Sequence, residues 1–165
     1  MKIVVVSDTH ICGEIKDFPG NLLDDIKSAD LVIHTGDFTE VECFQSLKAL
    51  AKDLQAVHGN MDSEELKKRL PAKSLFNVGG YKIAITHGSG APLNIISVLS
   101  NAFKADNPDI IIFGHTHTAF NKKINDTLYF NPGSLFDRFY AEFNSYGIIE
   151  INGGINARIV KINNA

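Results

Sequence analysis

A chain of 165 residues with 44% hydrophobic and 21% charged residues has the composition of a globular protein and excludes a disordered or fibrous one; it fits a single domain, residues 1–165. A net charge of −3 leaves no broad basic footprint, so there is no strong nucleic-acid signal. No run of about 20 apolar residues is present to cross a membrane, and the two cysteines, Cys12 and Cys43, are too few for a disulfide framework and lack paired metal spacing.

In chain order, the first runs are "KIVVV" at Lys2–Val6, "LVIHT" at 31–35 and "LQAVH" at 54–58, β-rich and of the length expected for buried parallel strands. Helical patterns lie between them. Residues 21–28 carry Leu22, Leu23 and Ile26; residues 39–51 open with a capping box, Thr39 with Glu42, and set Val41, Phe44, Leu47 and Leu50 on one face. That alternation predicts right-handed βαβ units. Farther on, "SLFNV" and "YKIAIT" flank Gly79-Gly80 as a hairpin, a helix opens near Pro92, "IIIF" at 110–113 makes a strand, and a hairpin turns at Asn125-Asp126. "YGIIEI" at 146–151 and "NARIVKI" at 156–162 form a last hairpin through Asn152-Gly153-Gly154. The sheet content is thus expected to become antiparallel toward the carboxyl end. An α/β (α+β) fold with two mixed β-sheets packed face to face and flanked by helices accommodates both halves.

Five of the strand-like runs end in a sharp polar or glycine turn that carries a metal-competent side chain: "VVVSDTH", "VIHTGD", "AVHGNMD", "IAITHG" and "IIIFGHTH". The residues are Asp8 and His10, Asp37, Asn60, His87, and His115 and His117. Ligands of open α/β sheets bind outside the carboxyl ends of strands, so these seven can converge on one rim. Carboxylates, imidazoles and one amide, without thiolate, suit divalent Mn, Fe, Zn, Co or Ni rather than a sulfur-held structural zinc. Seven ligands exceed one tetrahedral site; with one bridging carboxylate they are enough for two ions about 3.5–4 Å apart. Two such ions, two aspartates and a hydroxide leave a net charge of about +1, which favours an anionic substrate such as a phosphate ester.

Other polar and aromatic residues have simpler readings. A single Asp or His at a strand end is usually a turn former. His34 and His58 fall inside strand runs and read as packing or supporting groups. Asp62 reads as a helix cap paired with Glu65. The aromatic stretch "FDRFYAEF" at 136–143 reads as core or lid. The amino-terminal "MKIVVVSDTH" turns polar too soon for a secretory signal, so a cytoplasmic protein with reduced thiols is expected.

The ordered set D-x-H, G-D, G-N-x-D, H-G and G-H-T-H, with "NPGS" at 131–134, resembles the calcineurin-like metallophosphoesterase superfamily. The short length and the "GNMD" form are similar to its YfcE-like phosphodiesterase branch, which also includes a retromer subunit. The resemblance implies a four-layer fold, a β-sandwich covered by helices on both sides. It implies one ion on Asp8, His10, Asp37 and His117 and a second on Asp37, Asn60, His87 and His115, with Asp37 as the bridge. Asp37, Asn60 and His115 are then expected to act in the reaction itself, Asn60 also holding a phosphate oxygen. The implied activity is phosphodiester hydrolysis by a metal-bound hydroxide, with Mn as the expected metal and a small-molecule phosphate ester as substrate. The same branch implies an alternative, a weakly catalytic or non-catalytic protein-interaction scaffold, and homo-oligomers are compatible with both. One departure stands out. Where many phosphatases of the superfamily have a histidine after the asparagine, this chain has Met61, which donates no proton. General acid catalysis is worth about 10²–10⁴-fold, so activated aryl esters are expected to react far better than alkyl esters.

Overall fold

The computed structural model describes residues 1–10, 18–137 and 139–162. Cys12 lies outside them. The first half alternates strands and helices: β1 (Lys2–Val6), α1 (Gly20–Ser28), β2 (Leu31–His34), α2 (Val41–Leu50), β3 (Leu54–Ala56) and α3 (Glu64–Arg69). Then follow β4 (Lys73–Val78), β5 (Tyr81–Thr86), a 3₁₀ turn at Pro92–Asn94, α4 (Ile95–Ala102), β6 (Ile110–Ile112), β7 (Phe120–Ile124), β8 (Thr127–Asn131), β9 (Ser145–Ile151) and β10 (Ile155–Lys161).

Two five-stranded mixed sheets result, ordered β10-β9-β1-β2-β3 and β4-β5-β6-β8-β7. β1, β2 and β3 pair in parallel, as the βαβ reading expects. The second sheet is less antiparallel than its sequence suggests, because β6 pairs in parallel with both β5 and β8. The chain crosses from β6 to β8 with β7 folded back as an antiparallel edge strand, a connection that local turn signals do not encode.

Alternation along β1 shows how the layers form. Ile3 and Val5 point into the core between the sheets, with Ile33, Ile83, Ile85, Ile110, Ile112 and Phe130. Val4 and Val6 point the other way, onto Leu22 and Ile26 of α1, Leu47 of α2 and Leu66 of α3. α4 covers the outer face of the second sheet, where Ile95 and Leu99 meet Ala84, Ile111 and Tyr129. Helices thus sandwich both sheets, with the apolar pairs Leu22/Ile26 and Ile95/Leu99 each spaced one helical turn apart. Among the described residues, no helix is long and apolar enough to cross a membrane.

Two expected caps are absent. α2 begins at Val41 with Glu40 as its N-cap and no side-chain cap bond. Thr39 stands in the left-handed region at φ 69°, and its hydroxyl donates to the His10 carbonyl at 2.6 Å instead of capping the helix. Likewise α3 is capped by Ser63, which accepts from the Leu66 N–H, so Asp62 serves elsewhere. The segment around 136–143 also divides. Phe136 packs against Phe18, with ring centroids 5.8 Å apart, whereas Phe139 and Tyr140 are exposed and therefore are not core.

Candidate metal centre

All seven predicted side chains lie beyond the carboxyl ends of β1, β2, β3, β5 and β6, which the sheet pairings bring to one edge of the sandwich. The loops are laced together there. Asp8 N donates to Gly36 O at 3.0 Å, His10 N to Asp37 O at 3.1 Å and Gly114 N to His87 O at 3.0 Å. The contact is too close for side chains at two glycines. A Cβ on Gly59 would fall 2.1 Å from Asp37 Oδ1, and one on Gly114 would fall 2.1 Å from Ser7 Oγ and 2.7 Å from Asp8 Oδ2.

The centre of the cluster is Asp8. Its Oδ2 takes the Ser7 hydroxyl and the His115 N–H at 3.2 Å. Its Oδ1 is buried and has no hydrogen-bond partner. Around that oxygen stand His117 Nε2 at 3.2 Å, His10 Nε2 at 3.8 Å and His87 Nε2 at 4.0 Å. Asp37 Oδ2 in turn lies 3.3 Å from His87 Nε2 and 3.8 Å from His10 Nε2. Asp8, His10 and His117 form one group of close ligand atoms, and Asp8, Asp37 and His87 another, each within 4.8 Å. Asn60 Oδ1 extends the second group, 3.1 Å from His87 Nε2 and 3.2 Å from His115 Nδ1. His115 therefore sits with Asn60 and His87, and His117 with Asp8 and His10, whose Nε2 is 3.0 Å from that of His117.

These contacts fit divalent ions. Asp8 Oδ1 makes no well-aligned hydrogen bond, and three imidazole nitrogens, which are ligands of the same metals, converge on it, His117 near enough to be drawn toward its cationic form. The imidazoles are also oriented from behind. His87 Nδ1 is 2.8 Å from the Thr35 carbonyl, a donation that turns Nε2 toward the cluster. His117 Nδ1 bonds the Asp137 carboxylate.

The electrostatics follow from crowding two carboxylates against the imidazoles. The Asp8 carboxylate, working against burial and helped by Asp137, raises His117 to about 9. Burial opposes charge on His87, yet Asp37 and Asp8 carry it above the ordinary imidazole value. Burial would raise Asp37, but His87, the Met61 N–H and His10 hold it below the ordinary carboxylate range. The cluster therefore already favours positive charge beside its carboxylates.

Supporting residues account for the rest. Asp62 accepts N–H groups from Gly59 at 2.7 Å, Asp37 at 3.1 Å and Thr39 at 2.8 Å, joining the loops after β2 and β3. Burial would raise Asp137, but the Phe139 and Tyr140 N–H groups and His117 lower it to about 2. The hydroxyl of Ser134 donates to Asp8 O at 2.7 Å, and Asn131 Nδ2 donates to Gly114 O at 2.9 Å. So the "NPGS" stretch buttresses two of the site loops. Sequence reasoning missed Asp137, which stands within an aromatic run, and misread Asp62 as a cap. His34 packs as expected: it is buried, stacks on Phe38 with centroids 3.4 Å apart, and its Nδ1 accepts the Gly36 N–H. Burial holds it well below the ordinary imidazole value. His58 lies past the end of β3 rather than inside it, and it is half-buried. Met61 points its side chain to solvent while its N–H donates to Asp37 Oδ1 at 2.8 Å.

Compared with known proteins, residues 1–154 match the calcineurin-like phosphoesterase superfamily domain. Over 135 residues the chain is 39% identical to a probable metallophosphoesterase of Methanocaldococcus jannaschii, covering 81% of this chain and 68% of that protein. A phosphodiesterase of the same organism is 30% identical over 149 residues, 81% of this chain and 83% of the relative. Among solved structures, a Vps29 variant from Entamoeba histolytica superposes with a TM-score of 0.77, over 99% of this chain and 100% of that one, at 24% identity. That last likeness is one of fold.

Proposed function

The chain belongs to the calcineurin-like phosphoesterase superfamily, and on that premise we propose that it is a dinuclear metal-dependent phosphodiesterase acting, as one domain in the cytoplasm, on a small-molecule phosphodiester. The observation that carries this reading is the buried Asp8 Oδ1, unsatisfied by hydrogen bonds and faced by three imidazole nitrogens. In this reading Asp8, His10, Asp37 and His117 would hold one ion and Asp37, Asn60, His87 and His115 the other. Asp37 would be the bridge, as the resemblance implies; its Oδ2 faces an imidazole of each set, and so does Asp8 Oδ1. Two divalent ions bound there, Mn foremost, would supply Lewis acidity toward the phosphoryl group and an activated water. The chain's residues do the positioning. Thr35 and Asp137 fix the imidazoles, Asp62 holds the Asp37 loop against the Asn60 loop, and Asn60 presents an amide to a phosphate oxygen. Met61 donates no proton, so esters with good leaving groups are favoured over alkyl esters.

The test is removal and return of metal. Chelation should abolish hydrolysis of bis(p-nitrophenyl) phosphate and Mn should restore it; activity indifferent to both treatments would sink the reading. A second reading, a protein-interaction scaffold, draws on Leu93, Phe139 and Tyr140, each at least 80% exposed, with the Tyr140 ring 6.1 Å from that of His117. A stable stoichiometric partner recovered with the protein, together with no turnover of any phosphoester in Mn, would favour the scaffold.

A further inference from the structure

A cavity of about 360 Å³ opens beside the cluster on the side of Asn60 and His87 and continues between α3 and α4. We propose that it is the subsite for a planar, ring-bearing ester group of the substrate, an aryl or nucleoside substituent; the proposal rests on the phosphodiesterase reading above and deepens it.

The sequence of α4 supplies the first argument. Ile95 and Leu99 suffice to dock the helix on its sheet. Val98 and Ala102, also one turn apart, form a second apolar pair, and both are exposed. An apolar stripe that the fold does not need lines the cavity together with Leu99. Its other walls include His58, past the end of β3, and Lys67 of α3. An ammonium and an imidazole beside an aliphatic wall suit the face and edges of an aromatic ring better than an alkyl chain. Among the described residues no carboxylate lines the cavity, and the Lys67 ammonium on its wall is paired with Glu64 at 3.4 Å. The volume is near the lower end of the roughly 300–1,000 Å³ of small-molecule sites, room for one substituent and not for a polymer. Because Asn60 and His87 belong to both cavity and cluster, a group seated there is attached to a phosphorus at the cluster.

Two non-hydrolysable probes separate the subsite from the phosphate site. Phenylphosphonate and methylphosphonate carry the same anionic head and differ in the ring; their affinities for the Mn-loaded protein are measured by calorimetry. Burial of the ring should make phenylphosphonate bind at least about tenfold more tightly. Ala102→Trp, which fills the cavity, should reduce that preference to within about twofold while leaving methylphosphonate affinity unchanged. Val98→Ser, a milder change at an exposed position, should reduce it in the same direction. Equal binding of the two probes by the unaltered protein, or a preference that survives in both variants, overturns the subsite. Failure of both phosphonates to bind the Mn-loaded protein contradicts the phosphodiesterase reading itself, and the subsite falls with it.

Discussion

Asp8, His10, Asp37, His115 and His117 all hold the left-handed backbone conformation, five of the eight non-glycine residues with positive φ among those described. Such a conformation costs on the order of 1–3 kcal/mol per residue and persists only where its surroundings fix it. Here the fixing groups are the interloop hydrogen bonds, together with Ser134 and Asn131 behind them. The identity of these five residues was legible in the sequence because each follows an apolar run and a turn. Their support was not, because Asp137 touches His117 across 20 residues of chain and no local pattern marks it. Its contribution is testable at this scale. Asp137→Asn removes the charge behind His117, so the pKa of His117 in metal-free protein, followed by NMR, should fall below about 9. Metal affinity should drop by about 10–100-fold; an unchanged affinity would mean that Asp137 does not orient the ligand.

At the scale of elements, strands were easier to read than their caps. β1 beyond Lys2, β2 and β6 are buried along their length, and such strands show as largely apolar runs whatever their partners. Thr39 and Asp62 deceived because each carries the right chemistry for a helix start, while the backbone groups they satisfy lie in neighbouring loops. Asp62→Ala would leave three N–H groups without their acceptor, at roughly 1–3 kcal/mol for each one left buried. The expected outcome is a denaturation midpoint well below that of the parent and weakened metal binding, since the loop bearing Asp37 loses its tether; intact metal affinity would contradict that coupling. α1 is pinned by a different carboxylate. Asp25 bonds Lys2 Nζ at 2.7 Å and accepts from the Tyr146 hydroxyl at 2.6 Å. Burial works to raise its pKa, but Lys2 and Tyr146 hold it below the ordinary carboxylate range. A depressed folded-state value means that Asp25 contributes stability above the unfolded value of about 3.9 and loses it as pH falls through the folded one. Asp25→Asn should therefore cost about 1 kcal/mol at pH 7 and progressively less in acid, read as converging melting temperatures of variant and parent.

For the whole molecule, the decisive fact is that two sheets, one joining β1–β3 to the carboxyl-terminal β9 and β10 and the other made of β4–β8, present their parallel strands' carboxyl ends to the same edge. The sequence shows seven metal-competent residues at five strand ends; only the pairing of β6 between β5 and β8 shows how the His87 and His115 loops come to face those of Asp8 and Asp37. That convergence makes metal binding a property of the assembled fold, so ion occupancy should raise the melting temperature as well as permit catalysis. The most direct test of the dinuclear centre counts ions and turnover together in the parent protein and in Asp37→Ala under saturating Mn. The expected result is two Mn per chain with hydrolysis of an aryl phosphodiester in the parent, and fewer than two with hydrolysis abolished in the variant. One ion per chain in the parent, or two ions retained in Asp37→Ala, would contradict it.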